Sequence, residues 1–192
     1  MSLQTKGWIG SWAPGMGDPT IGGWVTVALY IVVAVACHKV LRLERQRRLV
    51  SSDHERLIWR LLTVGVILLG INKQLDLQSA ATELARMLAH EYGWYRNRRQ
   101  YQEAFIAASA VLALTSLAAL AVLAWNAPVP TLWACTGATG LTVFVGIRAA
   151  SFHHIDEMLG WTLGGLPLNW LLEMGSLMVI GWSARTRVKG RT

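Results

Sequence analysis

Five long apolar runs constrain this chain more than any other feature: residues 21–41, 57–75, 104–125, 131–150 and 166–183. A helix needs about 20 such residues to cross roughly 30 Å of hydrocarbon. The runs therefore predict an all-α, polytopic membrane helix bundle of about five transmembrane helices, a single integral membrane domain over residues 1–192. Composition points the same way. The chain is 53% hydrophobic and 15% charged, whereas a soluble domain carries about 25% charged residues. That balance argues against a soluble enzyme, a disordered chain and a disulfide scaffold.

The basic residues give a direction. With the N-terminus outside, eleven of the 18 Lys and Arg fall inside, in residues 39–60 and 185–191. Six fall outside, and Arg148 lies within the fourth run. The positive-inside rule thus predicts the N-terminus outside and the C-terminus inside. The opening residues show neither a basic n-region nor a compact h-region, so the first run is expected to insert as an uncleaved anchor. Trp24, Trp94 and Trp161 then fall near the outer interface, and Trp59, Trp125, Trp133 and Trp182 near the inner one. Indole favours both zones. The net charge of +7 sits in the first inner loop and the tail, where anionic lipid explains it and nucleic acid is not needed as a partner.

Between the second and third runs, Asn72, Asp76, Ser79, Glu83, Arg86 and His90 recur every three or four residues. Leu77, Ala81, Leu84 and Leu88 do so on another face. This period predicts an amphipathic outer helix over about residues 76–92, continuing the second span or bending along the surface. The short loop 126–130, with two prolines, predicts a tight hairpin between the third and fourth spans.

Three polar groups fall at one depth, toward the outer face: residues 70–78, residues 148–157, and Asn169 with Glu173. Ionisable groups in hydrocarbon cost several kcal/mol unless paired. One reading is structural, with Lys73 and Arg148 balancing Asp76 and Glu173. The other is a metal or proton site. On a helix His153 lies above Asp156 and Glu157, and His154, Asp156 and Asp76 complete a candidate metal set with His153. His90 and Asp18 are further candidates for a third ligand. Such mixed ligands suit zinc, iron or manganese. A divalent metal with an open position would activate water, with Asp76 or Glu83 as general base. The substrate would be an amphiphile of the outer leaflet. A Ser151, His154, Asp156 triad is geometrically poor, because neighbours on one helix cannot align as nucleophile, base and orienter.

The segments Gly-Ile-Asn-Lys-Gln-Leu-Asp-Leu-Gln at 70–78 and Arg-Ala-Ala-Ser-Phe-His-His-Ile-Asp at 148–156, with Gly-Asp-Pro-Thr at 17–20, resemble small uncharacterised bacterial inner-membrane proteins. The resemblance implies a multi-pass protein of the bacterial inner (plasma) membrane and brings no activity with it. Membrane ceramidase-like hydrolases offer an analogy of chemistry alone, since their seven spans and His-x-x-x-His pair are missing here. Three function classes follow. They are a metal- or proton-binding protein, conceivably a hydrolase of membrane-embedded substrates; a non-catalytic subunit or assembly factor, bound to other membrane subunits or to itself; and a small transporter, for which the chain shows no inverted repeat.

Overall fold

A computed structural model describes residues 7–10, 12–13, 20–76, 80, 83–84, 87–88, 91, 98–150, 162–163 and 166–190. Among these residues the fold is five helices: α1 (Ile21–Arg45), α2 (Asp53–Leu75), α3 (Arg98–Ala124), α4 (Val129–Ala150) and α5 (Leu168–Lys189). A two-residue antiparallel ladder, β1 (Thr162–Leu163) with β2 (Leu166–Pro167), precedes α5. The order is up and down. One end of the bundle gathers the α1–α2 loop, the α3–α4 turn and the C-terminus, and is called the basic end below.

Each helix is longer than the apolar stretch within it, and side-chain and backbone caps set the ends of α1 and α2. The Thr20 hydroxyl accepts from the Gly23 amide at 3.1 Å and starts α1. Ser52 caps α2 in the same way through the Glu55 amide, at 3.1 Å. At the end of α1, Arg47 takes a left-handed conformation, φ 52°. The Arg48 amide reaches back to the Leu43 carbonyl at 3.0 Å and the Arg47 amide to Glu44 at 2.8 Å, a Schellman stop with arginine where glycine is usual. The turn between α3 and α4 is as short as its prolines predict, spanning residues 125–128.

Helix packing follows stripes of period three and four. On α1 the buried side is Thr26, Tyr30, Val33, Cys37, Val40 and Leu43. On α5 it is Glu173, Leu177, Ile180, Ala184 and Arg187. α5 is central, with α4 and α1 its closest neighbours. The α4–α5 crossing is tight because Gly137 and Gly140 face Ser176 and Ile180. A Cβ on Gly137 would stand 2.9 Å from the Ser176 carbonyl oxygen, and one on Gly140 would stand 2.6 Å from the Ser176 hydroxyl. Small residues at such a crossing let the backbones approach closely. At the other end of the bundle the Trp170 ring lies against Gly22 of α1.

Three helical segments, Ile21–Arg45, Asp53–Leu75 and Val129–Gly146, are long and apolar enough to cross a membrane, as in an integral membrane protein. The apolar part of α3, Ala110–Ala124, is shorter, and α5 carries Glu173 and Arg185 within its length. The second span does not run straight on into an outer helix. Asp76 adopts φ 48°, ψ 49° and ends α2, so the chain turns there. Beyond it Ala80, Glu83, Leu84, Met87, Leu88 and Glu91 are helical, and Leu84, Met87 and Leu88 are exposed. The rest of 76–92 lies outside the described residues.

Candidate functional site

The buried stripe of α2 begins with an acid and ends with a base: Glu55, Ile58 and Trp59, Leu62, Val66, Leu69, Lys73. That of α5 does the same, from Glu173 to Arg187. The two helices are antiparallel, so each acid meets a base at each end. Their backbones make little close contact, and the side chains bridge them. Along α2 the two pairs are 18 residues apart, about 27 Å at 1.5 Å per residue. They therefore bracket most of a bilayer's hydrocarbon thickness of about 30 Å.

At the basic end Glu55, 1% exposed, accepts four hydrogen bonds. Arg187 donates through Nε at 2.7 Å and Nη2 at 3.0 Å. The Thr131 hydroxyl donates at 2.6 Å and the Trp59 indole at 3.3 Å. Arg187 Nη2 also donates to the Val50 carbonyl at 2.6 Å. One carboxylate thus joins α2, α4, α5 and the α1–α2 loop. A forked guanidinium matches a carboxylate in this way where a lysine would not. Trp59 is corrected by this geometry. The sequence places it at the inner interface, yet it is 0% exposed, since its N–H is spent on Glu55 and not on headgroups. Trp125, Trp133 and Trp182 are exposed at the same end, the last two edge to face at 6.4 Å.

A second acid, Glu44, is buried beside this network. Neither of its carboxylate oxygens has a hydrogen-bond partner. Its nearest cation is Arg56, whose Nε lies 3.9 Å away while its Nη1 binds Asp53 at 2.9 Å.

At the far end Glu173, 3% exposed, accepts from the Tyr30 hydroxyl at 3.0 Å and from Lys73 Nζ at 3.3 Å. Of the residues expected to form structural ion pairs, the structure brings together Lys73 and Glu173. Arg148 lies in the last turn of α4, outside the residues whose side chains are described. Sequence alone does not single out Tyr30, although it lies on the α1 stripe four residues beyond Thr26. Asp76 is half-buried one residue past α2. Glu83 is packed against Gly10 at a tight N-terminal turn with φ 58°.

His153, His154, Asp156 and Glu157, with His90 and Asp18, lie outside the described residues. Among the described residues no group of three or more His, Cys, Asp and Glu could hold a metal ion. Glu55, Arg187 and Thr131 were also missed. Their signal is the stripe itself, because Glu55 stands three, four and seven residues before Ile58, Trp59 and Leu62. Comparison with protein-family models, curated proteins and solved structures gives no match to this chain.

Proposed function

We propose that the chain is a non-catalytic subunit or assembly factor of a larger complex in a bacterial inner membrane. In this reading it crosses five times, with its basic end inside. The observation that carries it is the contrast between a locked core and a loosely held α3. Glu55 and Glu173 are committed to holding α2, α4 and α5 together, which leaves them no open position for substrate. Among the described side chains, α3 touches the rest of the bundle along a stripe that includes Ala113, Leu117, Leu120 and Ala124, and turns outward Ala104, Ala108, Thr115 and Ala119 together with Val111, Leu112, Leu114 and Val122. In hydrocarbon, small outward side chains let a neighbouring helix approach closely. Mild-detergent purification of the tagged protein tests the reading. A stoichiometric membrane partner should be recovered with wild type and lost with Ala108→Trp or Thr115→Trp at unchanged melting temperature. Recovery of the same clean monomer or homo-oligomer from all three would overturn it.

A second reading keeps the metal- or proton-binding site of His153, His154, Asp156 and Asp76, with zinc, iron or manganese and Asp76 or Glu83 as base. It is supported by the place of Asp76, half-buried at the far end of α2, three residues after the Lys73 that pairs with Glu173. Its test is metal content by mass spectrometry, wild type beside His153→Ala/His154→Ala. Near-stoichiometric metal lost in the variant would favour it.

A further inference from the structure

Between α2 and α3 the bundle does not close. A crevice of about 190 Å³ runs there, floored by Ile180 of α5 and Thr142 of α4 and walled by Ile58, Gly65 and Leu69 on one side and Leu120 on the other. Its polar atoms make no demand on an occupant. The hydroxyls of Ser116 and Thr142 donate to the carbonyls of Leu112 and Ala138 in their own helices. Gly65 is open, with nothing within 4 Å of where its Cβ would stand.

We propose that this crevice holds one acyl chain of a phospholipid from the leaflet at the basic end. From Ile58 to Leu69 it runs about 16 Å along α2 at 1.5 Å per residue. That is close to one leaflet's share, about 15 Å, of the hydrocarbon core. The crevice is open along its side, so its volume of about 190 Å³ takes part of the thickness of such a chain and leaves the rest against neighbouring lipid. A partner helix is about 10–12 Å across with its side chains and does not fit. An unfilled apolar crevice forfeits the dispersion contacts of its lining, and in a bilayer the adjoining exposed faces of α2 and α3 already meet chains. The headgroup of that lipid lies at the end where Arg45, Arg47, Arg48, Arg60, Arg185 and Lys189 are exposed, which favours an anionic one.

The proposal rests on the membrane reading and not on the subunit reading. The full chain is reconstituted in phosphatidylethanolamine vesicles containing phosphatidylglycerol with a mid-chain diazirine, then irradiated, and the adducts are mapped. Adducts should concentrate on residues 58–69 and 116–120. Gly65→Leu, whose Cβ meets nothing within 4 Å, puts a side chain into the crevice and should reduce them about tenfold, equivalent to about 1.4 kcal/mol of occupancy. Gly146→Leu adds the same side chain at another open position and should leave them unchanged. If Gly65→Leu does not fold, Ser116→Leu fills the crevice from α3. Adducts spread evenly over exposed α1 residues such as Val32 and Val35, or undiminished by both filling variants, would overturn the site. Failure to recover the chain in carbonate-washed membranes would overturn the membrane reading instead.

Discussion

Replacing Arg187 by methionine is the most severe single test of the bond between α2 and α5. The substitution removes the donors at 2.7 and 3.0 Å and leaves Glu55, 1% exposed, with only Thr131 and Trp59. Leaving one member of a buried pair uncompensated costs about 3–5 kcal/mol. For a chain of this size each kcal/mol lowers the melting temperature by about 2–4 °C, so a fall of about 6–20 °C is expected. Glu55→Met leaves the guanidinium with Val50 alone and should cost a similar amount. The double variant Glu55→Met/Arg187→Met carries no buried charge, and apolar replacements of whole pairs are often neutral or better. Its melting temperature should therefore lie above both single variants. Thermal melting of the four proteins in one detergent closes the cycle. Single shifts under about 2 °C, or costs that simply add in the double variant, would refute the argument that this pair is buried and coupled.

At the other end, Tyr30→Phe deletes one hydrogen bond to a charged group, a loss of about 1.5–3 kcal/mol, and Glu173→Gln should destabilise further, without altering any metal content. The glycines separate contact from flexibility. Gly137→Ala must push against a backbone oxygen at 2.9 Å and should cost about 1–3 kcal/mol. Gly65→Ala meets nothing and should stabilise by about 0.5–1 kcal/mol. Gly22→Leu should separate α1 from the Trp170 ring, lowering the melting temperature and raising tryptophan exposure to acrylamide quenching.

The sequence made the helices legible because hydrophobic runs are local. It also singled out Lys73 and Glu173, since charge inside an apolar run requires an explanation. It did not reveal the basic-end network, for two physical reasons. Glu55 and Arg187 lie at helix ends, where composition alone reads them as flanking charges counted toward orientation. Their pairing spans 132 residues, and only the antiparallel packing of α2 and α5 brings the two stripes face to face. Trp59 went wrong for the same reason, because an indole near a span end is read as an interface anchor until a buried acceptor is known. Whether the second helix runs on or bends is open in the sequence, since helical periodicity continues across Asp76 while the backbone does not.

On the subunit reading, the paired buried acids Glu55 and Glu173 serve the architecture of the bundle and function rests with a partner. Native mass spectrometry of the protein released from its own membranes tests both halves in one sample. The prediction is an assembly of this chain with a different membrane protein at fixed stoichiometry, with the same metal content in wild type and in His153→Ala/His154→Ala. A lone chain carrying one zinc, iron or manganese that the double variant loses would contradict it.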